Sequence, residues 1–84
     1  MSAVEQLKQT VTNAGFHGDE FIEAIDRGDH WMFVAYDDNE DIYIVSSFWK
    51  NRGDFAGAPL HTFDNKNTAV SYLFNQFQVD TGWR

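Results

Sequence analysis

The chain of 84 residues contains no cysteine, and this absence removes three classes of site. A disulfide framework, a zinc site built on thiolates and a cysteine nucleophile all require that residue. The sequence also lacks any apolar run that approaches the ~20 residues of a membrane-spanning helix. The first residues, MSAVEQLKQTV, lack the apolar centre of a signal peptide. We therefore expect a cytoplasmic protein with no membrane partner.

Cations are also scarce, with six Lys and Arg against 13 Asp and Glu, and the resulting charge of −7 is unevenly distributed. Residues 19–41 hold nine acids and one arginine, a charge of −9 + 1 = −8, and the remainder carries −4 + 5 = +1. Such a field repels phosphate, so direct binding of nucleic acid is not expected. It attracts a basic protein surface and accelerates encounter with it.

Large apolar side chains are abundant, since 43% of the residues are hydrophobic and 17% are aromatic. That content suits a folded chain, and the length suits one domain over residues 1–84. Residues 2–14 predict a helix: Ser2 and Glu5 fit a capping box, and Val4, Leu7 and Val11 recur at helical spacing. Gly15 then ends it in a left-handed conformation.

Strands are predicted for the middle of the chain. Residues 30–36 and 42–49 are rich in aromatic and β-branched side chains, and the polar turn 37–41 joins them as a hairpin. Residues 20–26 fit either a strand or two helical turns, and the tight turn at 27–29 favours a strand. Both faces of the hairpin are apolar, so either one face is exposed as a binding surface or both are covered.

The last third of the chain predicts a loop, a short strand and a helix. Residues 50–59 contain three of the six glycines and the one proline, which is typical of a loop. Residues 60–63 fit a fourth strand. Asp64 or Asn65 then caps a helix that extends to about residue 78, with Gly82 beyond it. The predicted fold is α+β: an N-terminal helix, a three- to four-stranded antiparallel meander and a C-terminal helix.

Candidate chemistry in this sequence is weak. Asp37, Asn39 and Asp41 match the first ligands of a calcium loop, but Ile42 replaces the required glycine and Phe48 the final glutamate. A hairpin turn is therefore the preferred interpretation. Asp80-Thr81-Gly82 resembles an aspartic-protease signature only in its three letters, and a cap suits its position better. We expect neither catalysis nor a cofactor or metal.

A binding surface is the better-supported prediction. It combines an acidic edge, in which carboxylates stand in for phosphates, with aromatic anchors that supply a desolvated centre. The predicted acidic residues are Glu23, Asp26, Asp29, Asp37, Asp38, Glu40 and Asp41. The predicted anchors are Trp31, Phe33, Tyr36, Tyr43 and Trp49.

In size, acidity and helix–strands–helix order, the chain resembles several phage-encoded anti-CRISPR proteins and other phage-type nuclease inhibitors. The resemblance spans the whole chain and includes no shared residue motif, so no site residue is transferred. It implies an inhibitor that binds a basic nuclease or nucleoprotein, in the host cytoplasm if the chain is phage-encoded. Two alternatives remain open: an immunity protein that neutralises a cognate toxin nuclease, and a homodimeric accessory protein whose aromatic sheet face is the interface.

Overall fold

The structure is a computed structural model, and it describes residues 2–16, 20–56 and 60–78. The described residues form an α+β fold in which one helix precedes and one follows the strands of an antiparallel sheet. The elements are α1 (Ala3–Asn13), β1 (Phe21–Asp26), β2 (His30–Asp37), β3 (Ile42–Trp49), β4 (Asp54–Phe55), β5 (His61–Phe63), α2 (Lys66–Leu73) and a π-helical turn (Phe74–Gln78).

The N-terminal helix begins and ends as predicted. Ser2 Oγ accepts a hydrogen bond from the Glu5 N–H, and Glu5 Oε1 accepts one from the Ser2 N–H, both at 3.2 Å. This capping box satisfies two backbone donors that have no partner within the helix. At the other end, Gly15 adopts a φ of 94° and the Phe16 N–H donates to the Val11 carbonyl at 3.0 Å. A glycine tolerates that left-handed conformation without steric cost.

The strands follow one another across the sheet in the order β1-β2-β3-β4, and β5 also pairs with β3. Residues 20–26 therefore contribute a strand rather than helical turns, with Ala24 opposite Phe33 in β2. Strand β4 lies within the segment predicted as loop, where Phe55 pairs with Phe48. A strand of two residues is too short to show a pattern in the sequence, and its pairing depends on the position of β3.

The two helices cover opposite faces of the sheet. On one face, Leu7 and Val11 of α1 pack with a cluster of buried residues that includes Trp31, Phe33 and Phe48. On the other face, Ala69 and Leu73 of α2 pack with Met32, Val34 and Val45. Because both faces of the β2–β3 hairpin are apolar, burying both requires a layer on each side. Of the two alternatives left open by the sequence, the covered one is correct.

This arrangement corrects the expectation that Trp31 and Phe33 are exposed anchors. Trp31 is 2% exposed and Phe33 is 3% exposed, so both belong to the core under α1. Their side chains point to the same face as Phe48, and α1 covers that face.

The C-terminal helix begins where it was predicted. Asn65 is its N-cap, and Asn65 Oδ1 accepts a hydrogen bond from the Thr68 N–H at 3.0 Å. The regular α-helix ends at Leu73 and continues as the π-helical turn to Gln78. The predicted end at Gly82 and the Asp80-Thr81-Gly82 triplet lie outside the described residues.

Candidate functional site

The predicted acidic edge is divided between the two ends of the sheet. Strands β2 and β3 pair from His30 opposite Trp49 to Asp37 opposite Ile42. At ~3.3 Å per residue, these two ends lie about 23 Å apart. Asp26 and Asp29 are at the first end, the turn 38–41 is at the second, and Glu23 lies along β1 opposite Val34. The seven acids therefore do not form one surface.

One end of the sheet gathers acids from three separate segments, and we call it the acidic end. Its centre is the turn of the β2–β3 hairpin. The Tyr36 N–H donates to the Glu20 carbonyl at 3.0 Å, which brings the residue before β1 to this turn. Phe63 pairs with Tyr43, so Asp64 follows at the same end. The acidic end comprises Glu20, Asp37, Asp38, Glu40, Asp41 and Asp64.

The charge of the acidic end is not offset within the segments that build it. Residues 36–43 and 63–64 contain no lysine or arginine, and Lys66 is the first residue of α2, two positions after Asp64. Five of the six acidic side chains are exposed, and Asp37 is half-buried. Sequence analysis missed Glu20 and Asp64 as members, because only the pairing of β1 and β5 with the hairpin brings them there.

The hairpin turn is held by its own side chains. Asp37 Oδ1 accepts a hydrogen bond from the Asn39 N–H at 3.0 Å, and Tyr36 Oη donates to Asp41 Oδ1 at 2.7 Å. Asp41 has a φ of 55°, a left-handed conformation that aspartate adopts more readily than most residues. The hydrogen bond to the Asp41 carboxylate, with burial and nearby negative charge, raises the pKa of Tyr36 to about 12. The segment is a hairpin turn, as the sequence predicted.

Half-buried aromatic rings border the acidic end on the face of the sheet that carries α2. The Tyr36 and Tyr43 rings lie 4.9 Å apart, centroid to centroid. Phe63 is the neighbour of Tyr43 in β5, and its ring lies 5.3 Å from that of Tyr72 in α2. We call Tyr36, Tyr43, Phe63 and Tyr72 the aromatic row. Two of its members were predicted as anchors, whereas Phe63 and Tyr72 were not.

At the opposite end of the sheet, acidic side chains have partners within the chain, and we call it the paired end. Lys50 Nζ lies 2.7 Å from Asp26 Oδ1, and His30 Nδ1 lies 2.6 Å from Asp29 Oδ1. The hydrogen bond from Lys50 lowers the pKa of Asp26 below its ordinary value, and the hydrogen bond with His30 lowers that of Asp29. These two predicted acids are therefore engaged within the chain.

Trp49 belongs to the paired end and is half-buried. Its ring lies 4.6 Å from the His30 ring, and the Arg52 guanidinium lies over it at 5.6 Å from the centroid. Lys50 covers the ring of the neighbouring Trp31 at 5.1 Å. Of the five predicted anchors, only Tyr36 and Tyr43 lie at the acidic end.

A search of family models, curated proteins and solved structures finds no match to this chain. Among residues 2–16, 20–56 and 60–78, no helix is long and apolar enough to cross a bilayer. The same part of the chain contains no group of three histidine, aspartate or glutamate side chains placed to hold a metal ion.

Proposed function

We propose that this chain is a non-catalytic inhibitor that occupies the basic surface of a nucleic-acid-handling protein with its acidic end. The observation that carries the proposal is the convergence of six carboxylates from three segments on one end of the sheet. Carboxylates can replace phosphates as partners of arginine and lysine, because both present anionic oxygens that accept charge-assisted hydrogen bonds, in pairs from a guanidinium. A field of one sign also steers a basic partner toward this end.

The inhibitor is proposed to be of the anti-CRISPR or another anti-defence type, with a nuclease or nucleoprotein as its target. An immunity function against a cognate toxin nuclease would use the same contacts between carboxylates and a basic surface. The identity of the bound protein separates these two biological settings. The homodimeric alternative relied on an exposed aromatic sheet face. Trp31 and Phe33 lie in the core beneath α1, so these two rings do not support that alternative.

The test is an affinity capture from host lysate with three forms of the protein as bait. The first is the natural chain. The second neutralises four acids of the hairpin turn: Asp37→Asn, Asp38→Asn, Glu40→Gln and Asp41→Asn. These amides keep an acceptor oxygen for the Asn39 N–H and the Tyr36 hydroxyl, so the turn is expected to fold.

The third bait is a matched control with the same change in net charge at other places. It carries Glu5→Gln, Asp26→Asn, Asp29→Asn and Asp54→Asn. Glutamine preserves the capping box at Glu5, and asparagine keeps an acceptor for the Gly28 N–H at Asp26. Captures are made at about 50 mM and about 300 mM NaCl, where surface charges are screened to different extents.

We expect a basic nucleic-acid-handling protein to be recovered at low salt by the natural chain and by the control, and to be weakened at high salt. The turn variant should recover much less of it. Equal recovery by all three baits would overturn the role of the acidic end. Recovery of an acidic protein whose binding does not change with salt would overturn the proposed class of partner.

A further inference from the structure

The aromatic row gives the acidic end a second kind of contact surface. Its four rings come from β2, β3, β5 and α2, and each is half-buried. Tyr36 and Tyr43 are 4.9 Å apart, and Phe63 and Tyr72 are 5.3 Å apart. The pairing of Tyr43 with Phe63 joins the two ring pairs across the sheet. The two ring pairs therefore form a strip on neighbouring strands of one face, and the His61 ring stacks on Phe63 at 4.6 Å.

One carboxylate contacts this strip, and two others are next to its members in the chain. Tyr36 is hydrogen-bonded to Asp41 and is followed by Asp37, which pairs with Ile42 at the end of the hairpin. At the other side, Asp64 follows Phe63. A cationic group that reaches the Asp41 carboxylate therefore also reaches the Tyr36 ring.

We propose that the segment bound by this strip is rich in arginine rather than lysine. The inference deepens the function proposed above and rests on it. A guanidinium stacks on an aromatic face and binds a carboxylate with two parallel hydrogen bonds. A lysine ammonium is a strongly hydrated point charge, and it gains less from a ring beside the carboxylate. Charge alone does not distinguish the two cations, and paired hydrogen bonds to a carboxylate are possible at any exposed acid. The aromatic row adds a preference for arginine that depends on its rings.

The experiment compares arginine and lysine homopeptides of equal length, titrated into the chain at low salt and followed by calorimetry. A cation–π contact at a partly exposed site corresponds to about a two- to fivefold gain in affinity for each stacked arginine. Tyr36→Leu and Tyr43→Leu should abolish most of this preference, whereas the binding of the lysine peptide should change little. Tyr43→Phe keeps the ring and should retain the preference.

Circular dichroism of each variant establishes that it is folded before its affinity is interpreted. Equal affinity for the two peptides would overturn the inference and leave the proposed function standing. The absence of binding to both peptides would overturn the proposed function and the inference with it. A preference for arginine that persists in both leucine variants, or a dimer that buries Tyr43, would also overturn the inference.

Discussion

Replacing Trp31 distinguishes a core residue from a surface anchor. The residue is 2% exposed and packs in the cluster beneath α1, so its loss should act on folding rather than on partner binding. The informative pair of changes is Trp31→Ala and Trp31→Phe. The first leaves a cavity, and the second keeps an aromatic ring while removing the indole N–H.

The size of the effect follows from burial. Replacing a fully buried tryptophan by alanine costs about 3–5 kcal/mol. At roughly 0.05–0.15 kcal/mol per residue, a domain of this length has about 4–13 kcal/mol of total stability. Trp31→Ala should therefore remove a large share of the stability and leave the domain partly unfolded at moderate temperature.

Trp31→Phe should cost much less. Trp31 Nε1 is buried and has no hydrogen-bond partner in the described part of the chain. An unsatisfied buried donor costs about 1–3 kcal/mol, and phenylalanine removes that donor. This gain offsets the loss of ring volume, so we expect a net change below about 2 kcal/mol.

Urea unfolding followed by far-ultraviolet circular dichroism measures both changes, with Trp49→Ala as the control. Trp49 is half-buried at the paired end, and we expect its removal to cost only about 1 kcal/mol. The reasoning is refuted if Trp31→Ala unfolds at the same urea concentration as the natural chain. A folded Trp31→Ala that loses its partner would restore Trp31 as an anchor.

Three further outcomes are expected. The pKa of Asp26 is lowered by its hydrogen bond from Lys50, so this carboxylate stabilises the fold above its ordinary pKa near 3.8, and the contribution is lost as the pH falls through the lowered value. The melting-temperature difference between the natural chain and Asp26→Asn should therefore be small at pH 6 and should decrease as the pH falls below 3.8. The pKa of Tyr36 is raised to about 12, mainly by Asp41, so Asp41→Asn should lower the pH at which this phenol ionises in an absorbance titration. Gly28 has a φ of 99°, so Gly28→Ala should lower stability by about 1 kcal/mol in urea unfolding although no atom blocks the added methyl.

The order of elements could be predicted from the sequence because local signals were strong. The capping box at Ser2, the left-handed position at Gly15 and the cap at Asn65 each need only a few neighbouring residues. The hairpin was marked by two aromatic and β-branched runs around a polar turn. Strand β4 was missed because its pairing of Phe55 with Phe48 is set by tertiary position and not by local pattern.

The sequence left open whether one or both faces of the hairpin are covered, and the placement of the two helices answers this question. Side chains alternate along β2, which places Trp31 and Phe33 on one face of the sheet and Met32 and Val34 on the other. This alternation does not indicate which face each helix covers. The predicted acids do not form a single surface for a related reason: Asp29 and Asp37 lie at opposite ends of β2. Asp64 joins the acidic end only through the pairing of β5 with β3.

The most direct test of the account is a map of where a cationic ligand binds. The amide resonances of the labelled protein are followed by nuclear magnetic resonance during titration with the arginine homopeptide at low salt. We expect the largest shifts at residues 36–43, at Glu20 and at 63–64, with little change at the paired end. Shifts centred on residues 26–30 and 49–54, or spread evenly over the acids of the chain, would contradict the acidic end as the binding site.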